Sequence, residues 1–293
     1  MFDADQLTDK QIEDLKALSL VAKGDILTMT RLAGTGHPGG SMSSLDLYLT
    51  VFSCADLTGP DADRIVISHG HTSPGAYASI ARLGHMPIEE VVAFFRKAGS
   101  PFEGHVVKGL PFIRWSTGNL GQGLSVGVGF AIAARMRGSS SQTYVFMGDG
   151  EQQKGQISEA RRLAVKYGLT NITVLVDYNK LQISGSIDLV MPQNIVENYL
   201  ADGWDIIEIN GHDHQEIYHA LKKAREVDNP VCIIANTVMG NGVPFMENKE
   251  KYHGSPVSEA EYKEAMAILG LEDRLDHYRE KRKGKWTFEL SRE

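Results

Sequence analysis

Residues 143–147, 172–177 and 231–237 form runs that are almost continuously apolar, with no alternation of apolar and polar positions. Such a run suits a strand buried on both faces, and a chain that repeats it between amphipathic segments has few ways to fold. Shorter runs at 64–68 and 205–209 extend the series, and helical patterns fill the gaps at 44–55, from Pro74, after Gly118, and at 157–167, 196–201 and 215–225. A long first helix follows Thr8 and Gln11, which have capping-box spacing, and should stop near Gly34. The expected fold class is therefore α/β, a parallel sheet with helices on both faces. Such sheets place ligands just beyond the carboxyl ends of their strands. Four polar or glycine-rich clusters fall there: Ser68-His69-Gly70-His71, Gly148-Asp149-Gly150, Asp177-Tyr178-Asn179 and Thr237-Val238-Met239-Gly240.

The composition narrows the partners. With 293 residues, 42% hydrophobic and 23% charged, the chain reads as a globular protein, and a formal charge of −7 gives no general attraction for nucleic acid or anionic lipid. No apolar run approaches the ~20 residues of a membrane span, and the acidic start Met1-Phe2-Asp3-Ala4-Asp5 is unlike a secretory signal. The two cysteines, Cys54 and Cys232, form neither a disulfide framework nor a paired-cysteine metal site, so a cytoplasmic location is expected. There is no internal repeat and no long linker. One domain over residues 1–271 is expected, followed by a charged tail over 272–293 that reads as a solvated helix.

Asp149 stands between two glycines at the end of a buried strand, where a carboxylate is costly unless it is paired, hydrogen-bonded or metal-bound. The stretch from Gly150 to Asn179 is long enough for one helix and the next parallel strand, which brings Asp149 and Asn179 to the same sheet edge. A carboxylate, an amide oxygen and a nearby carbonyl are hard ligands suited to Mg²⁺ or Ca²⁺, completed by water and phosphate oxygens. The flanking glycines let the backbone approach a phosphate. The ordinary alternative is that Asp149 caps a helix and Asn179 stabilises a turn.

His37, His71, His105 and His253 each lie in a loop beside glycine, a set suited to a polyhydroxylated substrate because neutral imidazole both donates and accepts. Zinc is the competing use of His69–His71 and His212–His214, but neither pair comes with a cysteine or third histidine at recognised spacing. The segment Thr117-Gly118-Asn119-Leu120-Gly121-Gln122-Gly123 is not a dinucleotide fingerprint, since Val126 stands where the third small residue belongs and no strand immediately precedes it. Small residues at 121, 123, 125, 127 and 129 instead describe a helix packed closely against another backbone.

From Gly36-His37-Pro38-Gly39 through Ser116-Thr117-Gly118 and Gly148-Asp149-Gly150 to His253-Gly254, the chain resembles the N-terminal, thiamine diphosphate-binding part of transketolases. The resemblance implies the PP-type domain, which takes the cofactor's diphosphate. It implies that Asp149, Asn179 and the carbonyl of Leu181 hold the divalent cation, Mg²⁺ or alternatively Ca²⁺ or Mn²⁺. Gly118, Leu120, Gly150, Ile183 and Met239 would line the cofactor, with His71 and His253 near its phosphates. His37, His105 and His253 would face the sugar and move protons while a two-carbon glycolaldehyde unit passes from a ketose or ketose phosphate to an aldose or aldose phosphate. Because the chain stops at Glu293, the resemblance is to the N-terminal subunit of a split transketolase. It implies a separate C-terminal subunit carrying the pyrimidine-binding domain, and a heterotetramer of two copies of each chain.

The chain departs from the family at Lys154, where a glutamate associated with contact between the two active sites is usual, and at His69, where split forms commonly have lysine. Two other readings stay open: the α subunit of a 2-oxo acid dehydrogenase-type enzyme, and a non-catalytic binding or regulatory homologue.

Overall fold

A computed structural model describes residues 4–291, so the first three residues of the acidic start and the last two of the tail lie outside it. The chain opens with α1 (Asp9–Ala33), α2 (Pro38–Ser43) and α3 (Leu45–Cys54), then β1 (Arg64–Ile67), α4 (Ser73–Arg82), α5 (Ile88–Phe94) and α6 (Gly123–Met136). Next come β2 (Thr143–Gly148), α7 (Gly155–Lys166), β3 (Ile172–Tyr178) and a hairpin of β4 (Leu181–Gln182) and β5 (Gly185–Ser186). The remainder is α8 (Ile187–Val190), α9 (Ile195–Ala201), β6 (Asp205–Asn210), α10 (His214–Ala224), β7 (Val231–Asn236), α11 (Lys251–Gly254), α12 (Glu259–Ile268) and α13 (Leu275–Arg282). The expected capping box is present: Gln11 N–H donates to Thr8 Oγ1, and the Gln11 side chain accepts from Thr8 N–H. Gly34, at φ +66°, closes the helix in the left-handed region that glycine tolerates best.

Five strands pair in parallel in the order β1-β2-β3-β7-β6. Alternate residues of the central strands enter opposite cores. Tyr144, Phe146, Leu175, Ile233 and Ala235 join the cluster that contains α1, α3 and α10, while Val145, Met147, Val174, Val176, Cys232 and Ile234 join the one beneath α6, α7 and α9. Both faces being covered is why these strands read as continuous apolar runs, and each large side chain so buried contributes about 1.5–3 kcal/mol. Strand β7 inserts between β3 and β6, so the winding reverses beside β3. A crevice lies at the carboxyl ends of β1, β2 and β3, beside that reversal.

The small residues at the start of α6 act as expected at two positions. A Cβ on Gly123 would lie 2.8 Å from Ser68 Cα, and one on Gly127 would lie 2.4 Å from Val145 Cγ2, whereas Gly129 faces open space. Helix α6 therefore approaches β1 and β2 most closely through its first two turns, while Ala131 and Ala134 keep its later turns packed on the same core.

The tail differs from its expected form. Residues 275–282 are helical, but Leu275 and Tyr278 are buried, and Trp286, Phe288 and Leu290 pack against the larger core. Charge counts alone hide the apolar spacing. Helix α2 is a second difference, because Pro38-Gly39-Gly40 reads as a turn. Its backbone is accommodated by tight packing, with a Cβ on Gly39 meeting Met239 Cγ at 2.8 Å.

Candidate active site

The crevice is lined by Gly40, His69, His71, Leu120, Asp149, Gly150, Glu151, Asp177, Asn179, Leu181, Ile183 and His253, among others. It gathers β1, β2 and β3, the hairpin after β3, and loops from both ends of the sequence.

Asp149 directly follows β2 and is 2% exposed. Its Oδ2 accepts from the backbone N–H of Lys180 at 2.5 Å, and its own N–H donates to the carbonyl of Asp177 at 3.2 Å. Burial, and then the neighbouring Asp177 carboxylate, push its carboxyl up to about 8, while the amides of Lys180 and Gly150 offset this only in part. Asn179 Oδ1 accepts from Leu181 N–H at 3.0 Å, and its Nδ2 donates to Ser43 Oγ at 3.2 Å and to Asp177 Oδ1 at 3.3 Å. The sheet has thus brought Asp149, Asn179 and Leu181 into one cavity.

The donor set fits a hard divalent cation. A buried carboxylate destabilised by a second one gains most from a cation, and amide and carbonyl oxygens complete an all-oxygen set. The missing side chain at Gly150 leaves the phosphate approach free, since a Cβ there would already meet Gln182 Oε1 at 3.1 Å.

The titration of Asp149 has a measurable consequence. A cation needs the carboxylate, so below a pKa of about 8 binding must displace a proton. Affinity for Mg²⁺ with thiamine diphosphate is expected to fall roughly tenfold per pH unit between about pH 7 and pH 6, and to level off above about pH 8. Calorimetric titrations in that range read it directly, and a pH-independent affinity contradicts it.

Two acidic residues complete the site, and reading the sequence residue by residue passes over both. Asp177 lies in the cluster noted at the end of β3, and its Oδ1 accepts from Ser43 Oγ at 2.6 Å and from the Thr237 hydroxyl, its Oδ2 from Ser44 Oγ at 2.5 Å. It ties α2, α3 and the end of β7 to β3. Glu151, inside Gly148-Asp149-Gly150-Glu151, accepts from Ser68 Oγ and Gly121 N–H at 2.6 Å each and from Gly148 N–H at 3.0 Å. Burial pushes it up to about 7, with the nearby Lys154 cation among the smaller opposing effects. Both fit the reasoning used for Asp149, namely that a carboxylate ending an apolar strand must have partners.

The four loop histidines do converge. The ring of His37 is 4.9 Å from that of His71, 5.9 Å from His253 and 6.5 Å from His105, and His71 is 5.3 Å from His253. Burial is the first cause that lowers all four pKa values, to about 4 for His37, so they are neutral near pH 7. His37 Nδ1 and His253 Nδ1 are buried with no hydrogen-bond partner, which leaves polar capacity for a ligand.

Other expected positions fall elsewhere. Gly118 is exposed and Met239 is buried against Gly39, so neither lines the crevice as the chain stands. Ile183 does line it, 68% exposed, and Leu120 flanks it. His69 is held by Ser44 Oγ at 3.0 Å and the Tyr48 hydroxyl at 3.1 Å. His212 and His214 both turn to Asp46, at 2.8 and 3.7 Å. Lys154 is exposed at the N-cap position of α7, without a side-chain cap, beside Gly121.

A doubly covered parallel sheet with buried carboxylate and amide oxygens at the carboxyl ends of its strands, beside a cluster of neutral histidines, is the architecture of a diphosphate-binding fold. Residues 17–282 match the family described as transketolase, thiamine diphosphate binding domain. The chain belongs to the transketolase family. It is 34% identical over 287 residues to one of the subunits of the apulose-4-phosphate transketolase of Phocaeicola vulgatus, covering 94% of this chain and 100% of that one. It is 32% identical to the 6-deoxy-6-sulfo-D-fructose transketolase subunit SqwG of a Clostridium species, over 91% and 99% of the two chains. The solved transketolase of Campylobacter jejuni superposes with a TM-score of 0.83 at 29% identity over 92% of this chain, which spans 46% of that enzyme. Among the described residues, no helix is long and apolar enough to cross a membrane.

Proposed function

We propose that this chain is the N-terminal, cofactor-gripping subunit of a cytoplasmic split transketolase that moves a two-carbon unit from a ketose or ketose phosphate to an aldose acceptor. The observation that carries this reading is a cluster of four neutral histidines in which His71 and His253 line the crevice beside Asp149 and Asn179, His37 packs against both, and His105 lies next to His37. Asp149, Asn179 and the Leu181 carbonyl would hold Mg²⁺, and through it the diphosphate. Thiamine diphosphate, when bound, supplies the carbon nucleophile and electron sink that sugar cleavage needs.

The chain's own groups do the rest. His37 and His253 have unpartnered Nδ1 atoms, and a neutral ring can hydrogen-bond a hydroxyl in either sense or pass its proton. His105, third around His37, extends this row towards the loop side, while His71 lies against the cation end with His253. The half-buried rings keep bulk water from the reacting carbons. The pyrimidine side of the cofactor would be met by a separate subunit, in an assembly of two copies of each. Lys154 replaces the carboxylate expected between active sites, so this assembly would lack a proton link at that residue.

The test is turnover by the chain co-purified with the product of the adjacent gene, with Mg²⁺ and thiamine diphosphate, across ketoses and 2-oxo acids. Transfer from fructose 6-phosphate or apulose 4-phosphate supports the reading. Turnover of 2-oxo acids alone, or tight cofactor binding with no turnover, overturns it. His37→Ala is expected to lower kcat/KM about 10–30-fold, the loss of one hydrogen bond to a hydroxyl, with cofactor affinity unchanged. An unchanged kcat/KM removes His37 from the sugar site.

A further inference from the structure

Beyond α13 the chain runs as an extended strap in which apolar residues alternate with polar ones. Trp286, Phe288 and Leu290 are half-buried, and Thr287, Glu289 and Ser291 are exposed. Its start is firmly held. The Glu90 carboxylate accepts from Thr287 N–H and Oγ1 and from Phe288 N–H, Lys97 Nζ donates to the carbonyls of Arg282 and Gly284, and the Arg282 guanidinium donates to those of Ala93 and Phe95.

The strap then crosses the outside of the loop that carries His105. Trp286 sets an edge against Phe94, with ring centres 5.8 Å apart. Phe288 stacks on Phe102 at 5.6 Å with the planes 26° apart, and Ser291 N–H donates to the carbonyl of Gly109 at 2.8 Å. Gly109, at φ +94°, has Leu290 Cβ and the Ser291 carbonyl where a Cβ would stand, at 3.1 and 2.9 Å. His105 lies between these two strap contacts.

On the inside, the same loop is held by groups around the site. Arg96 N–H donates to the Phe102 carbonyl at 2.8 Å, the Tyr77 hydroxyl donates to the His105 carbonyl at 3.0 Å, and Thr117 N–H donates to the Val106 carbonyl at 2.9 Å. A connection without regular structure is mobile unless tied down. Here the backbone on each side of His105 is pinned from within by the domain and from without by the strap.

We propose that the strap, through Phe288 and Ser291, is a positioning element for the donor sugar: it sets the His105 loop over His37 and so governs substrate affinity without touching the cofactor. This rests on His105 facing the sugar. A strap that carries no site residue thereby couples the far end of the chain to substrate recognition, while the cation site sits on the sheet and is independent of it.

The experiment compares Phe288→Ala, Ser291→Pro and His105→Ala in the complex with the second subunit. Ser291→Pro removes the N–H donated to Gly109 at an exposed residue without truncating a packed side chain, so it remains informative if Phe288→Ala proves poorly folded. Hydrogen exchange of residues 96–109 is expected to rise at least about fivefold in both strap variants, with residues 143–148 and 172–178 unchanged. With fructose 6-phosphate and apulose 4-phosphate as donors, KM is expected to rise about tenfold, while kcat and the dissociation constant for thiamine diphosphate stay within about twofold. Unchanged exchange overturns the proposal, as does faster exchange without a KM effect when His105→Ala itself raises KM. A His105→Ala variant with wild-type KM instead overturns the reading of His105 on which the strap's role depends.

Discussion

Asp149→Asn is expected to abolish ketol transfer, by about 10³-fold or more, without weakening the fold. The substitution keeps an oxygen for the Lys180 amide, so the local backbone retains its hydrogen bond. It removes the one full negative charge among the proposed cation ligands, and a direct ligand should count for more than the 10–100-fold lost with an outer partner. Its effect on stability has the opposite sign. Asp149 is raised from an ordinary 3.8 to about 8, so its ionised form is disfavoured in the folded chain. That burden is absent below about pH 4 and grows as pH rises through the folded pKa. Without metal, the Asn variant should therefore be as stable as the parent at acidic pH and more stable near pH 8, by on the order of 1–3 kcal/mol. Thermal melts with and without Mg²⁺ and thiamine diphosphate, run beside the transfer assay, separate the two effects. Retained activity, or a variant that melts below the parent at high pH, would sink the assignment.

Asp177→Ala is expected to give the largest loss of stability at the site, about 3–5 kcal/mol, read as a fall in melting temperature of about 10 °C. The hydroxyls of Ser43, Ser44 and Thr237 and the amide of Asn179 all donate to this one carboxylate. Truncation strands several buried donors at once, the circumstance in which a lost hydrogen bond costs most. It also frees the Asn179 amide, so cofactor affinity should fall even though the repulsion on Asp149 is relieved. Asp177→Asn keeps an acceptor oxygen and should cost less than half as much. A drop below about 1 kcal/mol for the alanine variant would show that the hydroxyls find other partners and that Asp177 is not the tie between these elements.

The pair separates two tasks that a strand-end carboxylate can perform. Asp149 lines the crevice and is held by backbone amides, Lys180 foremost, that offset its burial only in part, which suits a group that could take a cation. Asp177, at the corresponding end of the next strand, is fully engaged by hydroxyls and an amide and organises its neighbours. Sequence position alone does not separate them, since both follow apolar runs.

Much of the fold is legible in the sequence for a simple reason. Period-two burial on both faces leaves a continuous apolar run, and the ends of β2, β3 and β7 fall within a residue of their expected places. Capping at Thr8 and Gly34 is equally local. Helix α2 is hidden because its stability comes from Met239 and the α11 backbone packed on Gly39, a contact between residues far apart in sequence. The strap is hidden because the tail over 272–293 as a whole carries more charged than apolar residues, and α5 and the His105 loop supply the surface that Trp286 and Phe288 cover.

The sequence by itself determined the doubly covered sheet, the placement of polar clusters at its carboxyl ends, and the meeting of Asp149 and Asn179 at one sheet edge, because these follow from periodicity and the spacing of the strands. Only the tertiary structure decided that the four histidines cluster with His71 and His253 in one crevice with that pair, that Gly118 and Met239 stand back from it, that Glu151 and Asp177 brace it, and that the charged tail is packed. Those outcomes depend on which loops meet across the sheet, and on burial and charge proximity that exist only once the chain has folded.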